Sequence, residues 1–272
     1  MTRSLCFTVD LDRDVNICLD GQVSAGSIDR GCGTSPRFIS TVDGLVRLLD
    51  LLDDMDVRAT FFAEGRTIEH IGSEVSLSGH EVGIHGLDHE DLTGGNNVNL
   101  AHSDAMDIIN AACSIVRDVT SKSPRCFRAP YMRLNDDVLE ALPGLGIHYD
   151  SSCYCDLSRK IVPEHLLSGL VRVPVPEGYD SHGKKIAAYL WPMHENKRPP
   201  SDYVEMASAV EEGIFNIATH TWHMTESRKD GPMSSERIRS NLDNVRSVLG
   251  GIIDMGFVPG TIPEACVKYS RG

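Results

Sequence analysis

Hydrophobic positions along the chain switch repeatedly between short apolar runs and stretches with an apolar residue every three or four positions. Residues 4–10 read as a strand, followed by a polar, Gly-containing loop to about Pro36. FISTVDGLVRLLDLLDD (38–54) has helical spacing, VRATFFAEG (57–65) reads as a strand, and 66–78 as a helix. HEVGIHG (80–86) is a further strand, 99–120 a long amphipathic helix, and CFRAP (126–130) a short strand with Pro130 at its exit. A helix over about 134–142 and a strand at 147–152 follow. The Pro- and Gly-rich region 156–200 offers strands at 169–174 and 184–191. A helix near 201–212, the strand IFNIATH (214–220), helix 233–250 and the strand GFVPG (256–260) complete the pattern. No internal repeat, low-complexity tract or linker divides it, so residues 1–272 read as one domain.

Strands alternating with helices predict an α/β fold on a parallel sheet, open or closed into a barrel. Asp10, Asp12, His85, Arg128, Asp150 and His220 each fall at the C-terminal end of a predicted strand. In a β/α barrel those ends converge on one face, whereas an open sheet gathers only residues near a switch point. The distribution favours a barrel.

Composition narrows the function classes. Of 272 residues, 39 are acidic and 26 basic, a net charge of −13, which argues against a nucleic-acid or anionic-membrane surface. No apolar run approaches the ~20 residues that span a bilayer. The start, MTRSLCFTVDLD, becomes charged before a signal-peptide core could form, so a cytoplasmic protein is expected. The eight cysteines include no Cys-x-x-Cys pair and read as thiols packed in a reducing compartment.

The candidate chemistry begins with TVDLDRD (8–14), an apolar strand that ends in acids at alternate positions. Residues i and i+2 of a strand point the same way, so Asp10 and Asp12 can share one pocket. In HGLDH, His85 and His89 are four apart; on a helical turn both imidazoles face one way and can grip one metal. Two imidazoles and a carboxylate leave positions open for water and substrate, and a second carboxylate could take a proton from that water. Taken singly, the pair could equally be a solvated turn and the acids a polar strand end. Arg128 in RAPY is placed to hold a carboxylate ionised, and a backbone N–H after Pro130, such as that of Tyr131, could serve an oxyanion. His220 or His223 could protonate a leaving amine, His220 being nearer the strand end. Asp150 could orient that histidine, or cap a turn with Ser151 and Ser152.

These motifs, TVDLD, HGLDH, RAPY, YDSS and ATH, occur in an order that resembles the polysaccharide deacetylase family, the NodB-homology domain of carbohydrate esterase family 4. The resemblance spans roughly residues 5–260. It implies a distorted (β/α)7 barrel and metal-dependent hydrolysis of an N-acetyl or related amide bond. By position it implies Asp10 as base, with Asp12, His85 and His89 as ligands of a divalent metal, Zn2+ being expected. It further implies Arg128 as the tether of Asp10, the Tyr131 backbone as oxyanion donor and His220 as general acid. The family's first motif usually has adjacent acids, whereas Leu11 separates them here. That Asp-x-Asp form looks like an intracellular branch of peptidoglycan-deacetylase-like and allantoinase-like proteins. The tryptophan usual near the Asp150 motif is missing, and Trp191 or Trp222 is the candidate to supply that wall.

The expected function is therefore a hydrolase of non-peptide C–N amide bonds, acting on an N-acetylated sugar or a small linear or cyclic amide. The alternative is a metal-dependent sugar- or amide-binding protein on the same barrel. Neither nucleic acid nor membrane is an expected partner, and the related intracellular proteins suggest a homo-oligomer.

Overall fold

The computed structural model describes residues 3–14, 37–72, 74–93 and 102–270. The predicted loop is therefore outside the described residues from 15 to 36, as are Cys18 and Cys32. Seven parallel strands form the frame, in the spatial order β7-β1-β2-β3-β4-β5-β6. They are β1 (Arg3–Leu11), β2 (Thr60–Ala63), β3 (Glu81–Ile84), β4 (Cys126–Phe127), β5 (Tyr149–Asp150), β6 (Val171–Arg172) and β7 (Gly213–His220). Val258–Pro259 pairs with β1, and Glu164–His165 adds antiparallel to β6. The curled sheet is that of a distorted (β/α)7 barrel. The helices are α1 (Ile39–Asp54), α2 (Gly65–Ile71), α3 (His102–Thr120), α4 (Asp136–Ala141), α5 (Trp191–His194), α6 (Pro200–Ser208), α7 (Ser235–Asp254) and α8 (Ile262–Ser270). A separate sheet of Tyr154–Asp156, Val175–Tyr179 and Lys185–Ala187 lies beside the frame.

β1 is buried along its length except at Arg3, which explains why its sequence reads as a continuous run. Leu5, Phe7, Val9 and Leu11 join the main core with Leu45, Leu48 and Leu52 of α1. The opposite face carries Cys6, which packs with Phe62, Cys126, Ile214 and the α8 residues Ile262, Ala265 and Cys266. Above Cys6 on that face come Thr8 and Asp10, both buried, so the barrel interior grades from apolar to acidic toward the strand ends. Leu11 belongs to the outer layer, which is how one residue can separate two acids that stay on the inner side.

Several boundaries differ from the sequence reading. The helix expected over 66–78 ends at Ile71, where Gly72 takes φ 56° and terminates it. The candidate strand 184–191 splits into Lys185–Ala187 and α5, and Val175–Tyr179 is an additional strand. α8 also goes beyond the reading; its nine residues begin Ile-Pro and are too short to display a helical period. The Glu264 carboxylate accepts the Thr261 N–H at 3.0 Å, and the helix packs into the base of the barrel. α1 approaches the loop after β7 so closely that a Cβ at Gly44 would fall 2.1 Å from the Thr221 carbonyl oxygen.

Candidate active site

The parallel register of β1 sets Asp10 beside His220 on β7 and Phe62 on β2. Asp12 follows just past the end of the strand and is fully buried. Arg13 turns the other way and is held by the Glu64 carboxylate and by Asp88, the latter at 2.6 Å. Asp14 accepts the N–H of Thr41, in the first turn of α1, at 2.8 Å. The comb thus divides into two acids facing the interior and two residues that anchor the strand exit.

His85 and His89 converge, but not on a helix as the spacing suggested. Residues 85–91 form an irregular loop in which Gly86 has φ 74° and His89 φ 58°. A Cβ at Gly86 would lie 2.9 Å from Glu90 Oε2 and 3.1 Å from Pro130. The Glu90 carboxylate accepts the N–H groups of Leu87 and Asp88 at 3.0 and 2.9 Å, which closes the loop on itself. Left-handed backbone at His89 then brings its ring within 5.0 Å of that of His85.

Arg128 is buried completely and lies 4.3 Å from the centre of the Phe62 ring. Its guanidinium donates to Asp10 Oδ1 at 2.8 Å, to Thr8 Oγ1 at 2.9 Å, and to the Ser151 hydroxyl at 2.9 Å and carbonyl at 3.2 Å. Tyr189 donates its hydroxyl to the other oxygen of Asp10 and lies 3.4 Å from His220 Nε2. Burial alone would raise the Asp10 pKa. The Arg128 charge, with His85, His220 and the Tyr189 hydrogen bond, outweighs it and holds the carboxyl well below the usual carboxylate range.

A cavity of about 160 Å³ opens over these groups. Asp10, His85, His89, Tyr131, Trp191 and His220 line it, as do Tyr189, Trp222, His223 and Arg228. Tyr131 sits in the turn Pro130–Met132 at φ 59° and sets its ring edge-on to His89 at 4.6 Å. Burial pushes His220 down to about 3, so its imidazole is neutral at pH 7. Its Nε2 stands 4.0 Å from oxygens of both Asp10 and Asp12. His223 is turned away from these acids toward Glu195, 3.2 Å from its Nε2.

Asp150 is not part of this wall. It is buried beside its register partner Arg172, whose Nε donates to it at 3.3 Å, and it accepts the Ser152 N–H at 3.1 Å. It neither orients His220 nor lines the cavity; the two serines that follow it instead support Arg128 and the Ala129 N–H. Tyr189 was not among the sequence candidates. It follows an alanine pair in IAAYL, and only its bridge to Ala218 of β7 carries it to the site.

The donor set fits a divalent cation. Ligand atoms of Asp12, His85 and His89 all lie within 4.8 Å of one another. Both oxygens of Asp12 are buried without a hydrogen-bond partner, a costly state for a carboxylate unless a cation receives it. Burial, with the charges of Asp10 and Glu64, pushes the Asp12 pKa well above its ordinary value. His85 Nδ1 lies 2.8 Å from the Arg128 carbonyl oxygen, to which it donates, leaving Nε2 with a lone pair toward the site.

Residues 31–149 match the family model for polysaccharide deacetylase. A peptidoglycan deacetylase of Helicobacter pylori is 30% identical over 135 residues, 48% of this chain and 42% of that protein. A chitin deacetylase of Pestalotiopsis sp. is 32% identical over 140 residues, covering 46% and 44%. The matched stretch thus spans less than half the length of these relatives. Among solved structures, a Mycobacterium smegmatis protein assigned to the polysaccharide deacetylases superposes with TM-score 0.66 at 18% identity, covering 98% of this chain and 90% of that one. A Bacillus anthracis family 4 pseudoenzyme superposes with TM-score 0.56 at 14% identity, covering 97% and 66%. These likenesses extend the shared fold beyond the matched residues. With the family match and the aligned deacetylases, they make the chain similar to the polysaccharide deacetylases, the NodB-homology group of carbohydrate esterase family 4, in fold throughout and in family pattern over residues 31–149.

Proposed function

We propose that the protein is a metal-dependent hydrolase that cleaves a non-peptide C–N amide bond, removing an acyl group from an acetylated sugar or opening a small linear or cyclic amide. The observation that carries this reading is the buried, unpartnered Asp12 carboxylate beside His85 and His89, next to an ionised Asp10. Asp12, His85 and His89 would hold the ion. When bound, a divalent cation such as Zn2+ acidifies water and polarises an amide carbonyl.

The chain's own groups supply the proton chemistry. Asp10, fixed by Arg128 and Tyr189, takes a proton from the attacking water. The Tyr189 hydroxyl contacts both Asp10 and His220, so the proton can pass to the neutral imidazole and then to the leaving nitrogen. The Tyr131 backbone is the candidate donor to the oxyanion, and the Trp191 and Trp222 rings form walls against the acyl portion. The protein is taken to work in the cytoplasm; among the described residues no helix is long and apolar enough to cross a membrane.

Metal content separates the roles. Asp12→Ala and His89→Ala are each expected to lose bound zinc. Asp10→Asn is expected to keep it while turnover falls by about 100-fold or more. The panel comprises N-acetylated sugars, chitin and peptidoglycan fragments, and small linear and cyclic amides. Failure to bind any divalent metal, together with no release of acid or amine from the panel, would sink the proposal. The second reading is a binding protein, since the pseudoenzyme from Bacillus anthracis shares this fold. Metal bound, ligands bound and no turnover would favour it.

A further inference from the structure

Arg228 lines the same cavity from the segment that follows His220, and nothing in the hydrolytic chemistry uses it. Its guanidinium carbon lies 5.0 Å from the centre of the Trp191 ring, on which Lys197 also rests, its Nζ at 5.2 Å. Among the described residues no carboxylate lies within ion-pair distance of the Arg228 guanidinium. The acid whose charge acts on it is Glu195, whose carboxylate accepts hydrogen bonds from His223, the Ser227 hydroxyl and the backbone N–H of Arg228 itself. Arginines 13, 66, 125 and 198 have carboxylate partners that raise their pKa, whereas burial lowers that of Arg228.

Arg128 balances Asp10, and a dication would more than balance Asp12; Glu195 reaches Arg228 through its charge without an ion pair, so the guanidinium donors at this wall are left unclaimed by protein acids. A half-buried guanidinium on an aromatic ring, with its donors unclaimed by protein acids, matches an anionic group on a ligand. We infer that Arg228 receives a carboxylate of the substrate, so that the amide cleaved here belongs to a molecule that also carries an acid. This rests on the hydrolase reading only for the identity of the reacting bond.

The test uses matched pairs that differ in the acid alone. N-acetylmuramic acid is compared with the methyl ester of its lactyl carboxylate, and N-acetylalanine with its N-methylamide, which separates a sugar source from an amino-acid source. Both tryptophans of the chain line the cavity, so intrinsic fluorescence of the zinc-loaded protein reads binding without requiring turnover. In at least one pair the acid is expected to bind about 10- to 100-fold more tightly than its neutral partner. Arg228→Gln should bring that ratio to about one, and Arg228→Lys should retain part of it. A ratio near one in the wild type in both pairs, a ratio that survives Arg228→Gln, or no saturable binding of either acid would overturn the inference. Hydrolysis of the same compounds is scored separately: tight binding of the acid without turnover counts against the hydrolase reading and leaves the Arg228 contact standing.

Discussion

Asp10 is a buried carboxylate with Arg128 on one oxygen and Tyr189 on the other, and each contact does a different job. The guanidinium keeps it ionised and is itself pinned by Thr8 and Ser151, so it cannot follow a displaced partner. The phenol bridges Asp10 to the His220 ring, the path a proton would take in the proposed chemistry. Tyr189→Phe keeps the ring and removes only the hydroxyl. Zinc content is expected to stay unchanged, while turnover falls by about 10- to 100-fold. Equal kcat in the variant, measured at saturating substrate, would remove the phenol from the proton path. Arg128 was readable from RAPY because an arginine at a strand end beside Pro is a local feature. Tyr189 was not, because its partner in the site is 179 residues away.

Among the elements, the loop after β3 does the most to shape the site. Its two histidines meet through left-handed backbone at Gly86 and His89, and three acids hold that conformation. Glu90 caps the loop from within, while Glu64 and Asp88 share Arg13, tying it to the exit of β1. The segment carrying Asp12 and the segment carrying His85 and His89 are thereby fastened to each other by side chains outside the proposed ligand set. Asp88→Ala is expected to weaken zinc binding by about 10-fold or more with all three ligands intact, because support of this kind fixes ligand orientation. Competition against a chromophoric chelator measures it; unchanged affinity would show that Glu90 alone suffices.

For the whole molecule, two buried histidines outside the candidate ligand set contribute to the response to acid. His194 donates to Asn241 Oδ1 at 2.6 Å and accepts from Thr219 at 2.8 Å, and burial pushes it down to about 4. His223 is pushed down to about 3 by burial, against the opposing pull of Glu195. In the unfolded chain both take up a proton near pH 6.5, while the folded protein leaves them neutral. The contribution of these two histidines to stability is therefore fully present above about pH 6.5 and declines as pH falls toward 4 and 3. Urea unfolding should show a lower free energy at pH 5 than at pH 7. His194→Gln, which cannot protonate, should narrow that difference; an unchanged difference would place the titration elsewhere.

Local pattern determined a large part of this protein. The run Leu5–Val9 with Asp10 and Asp12 at its end, the apolar spacing of α1, α3 and α7, and the short motifs at strand ends together specified an α/β barrel and the residues of its rim. These are features of neighbouring residues, and strand and helix periods record them directly. Tertiary structure decided what depends on distant neighbours or on unusual backbone. It turned the His85–His89 pair from a supposed helical turn into a left-handed loop, and sent Asp150 to Arg172 instead of His220. It also brought Tyr189 and Arg228 to the cavity and set α8 beneath the barrel. No period or spacing encodes these contacts, because each is made when the strands curl and their ends are carried to one face.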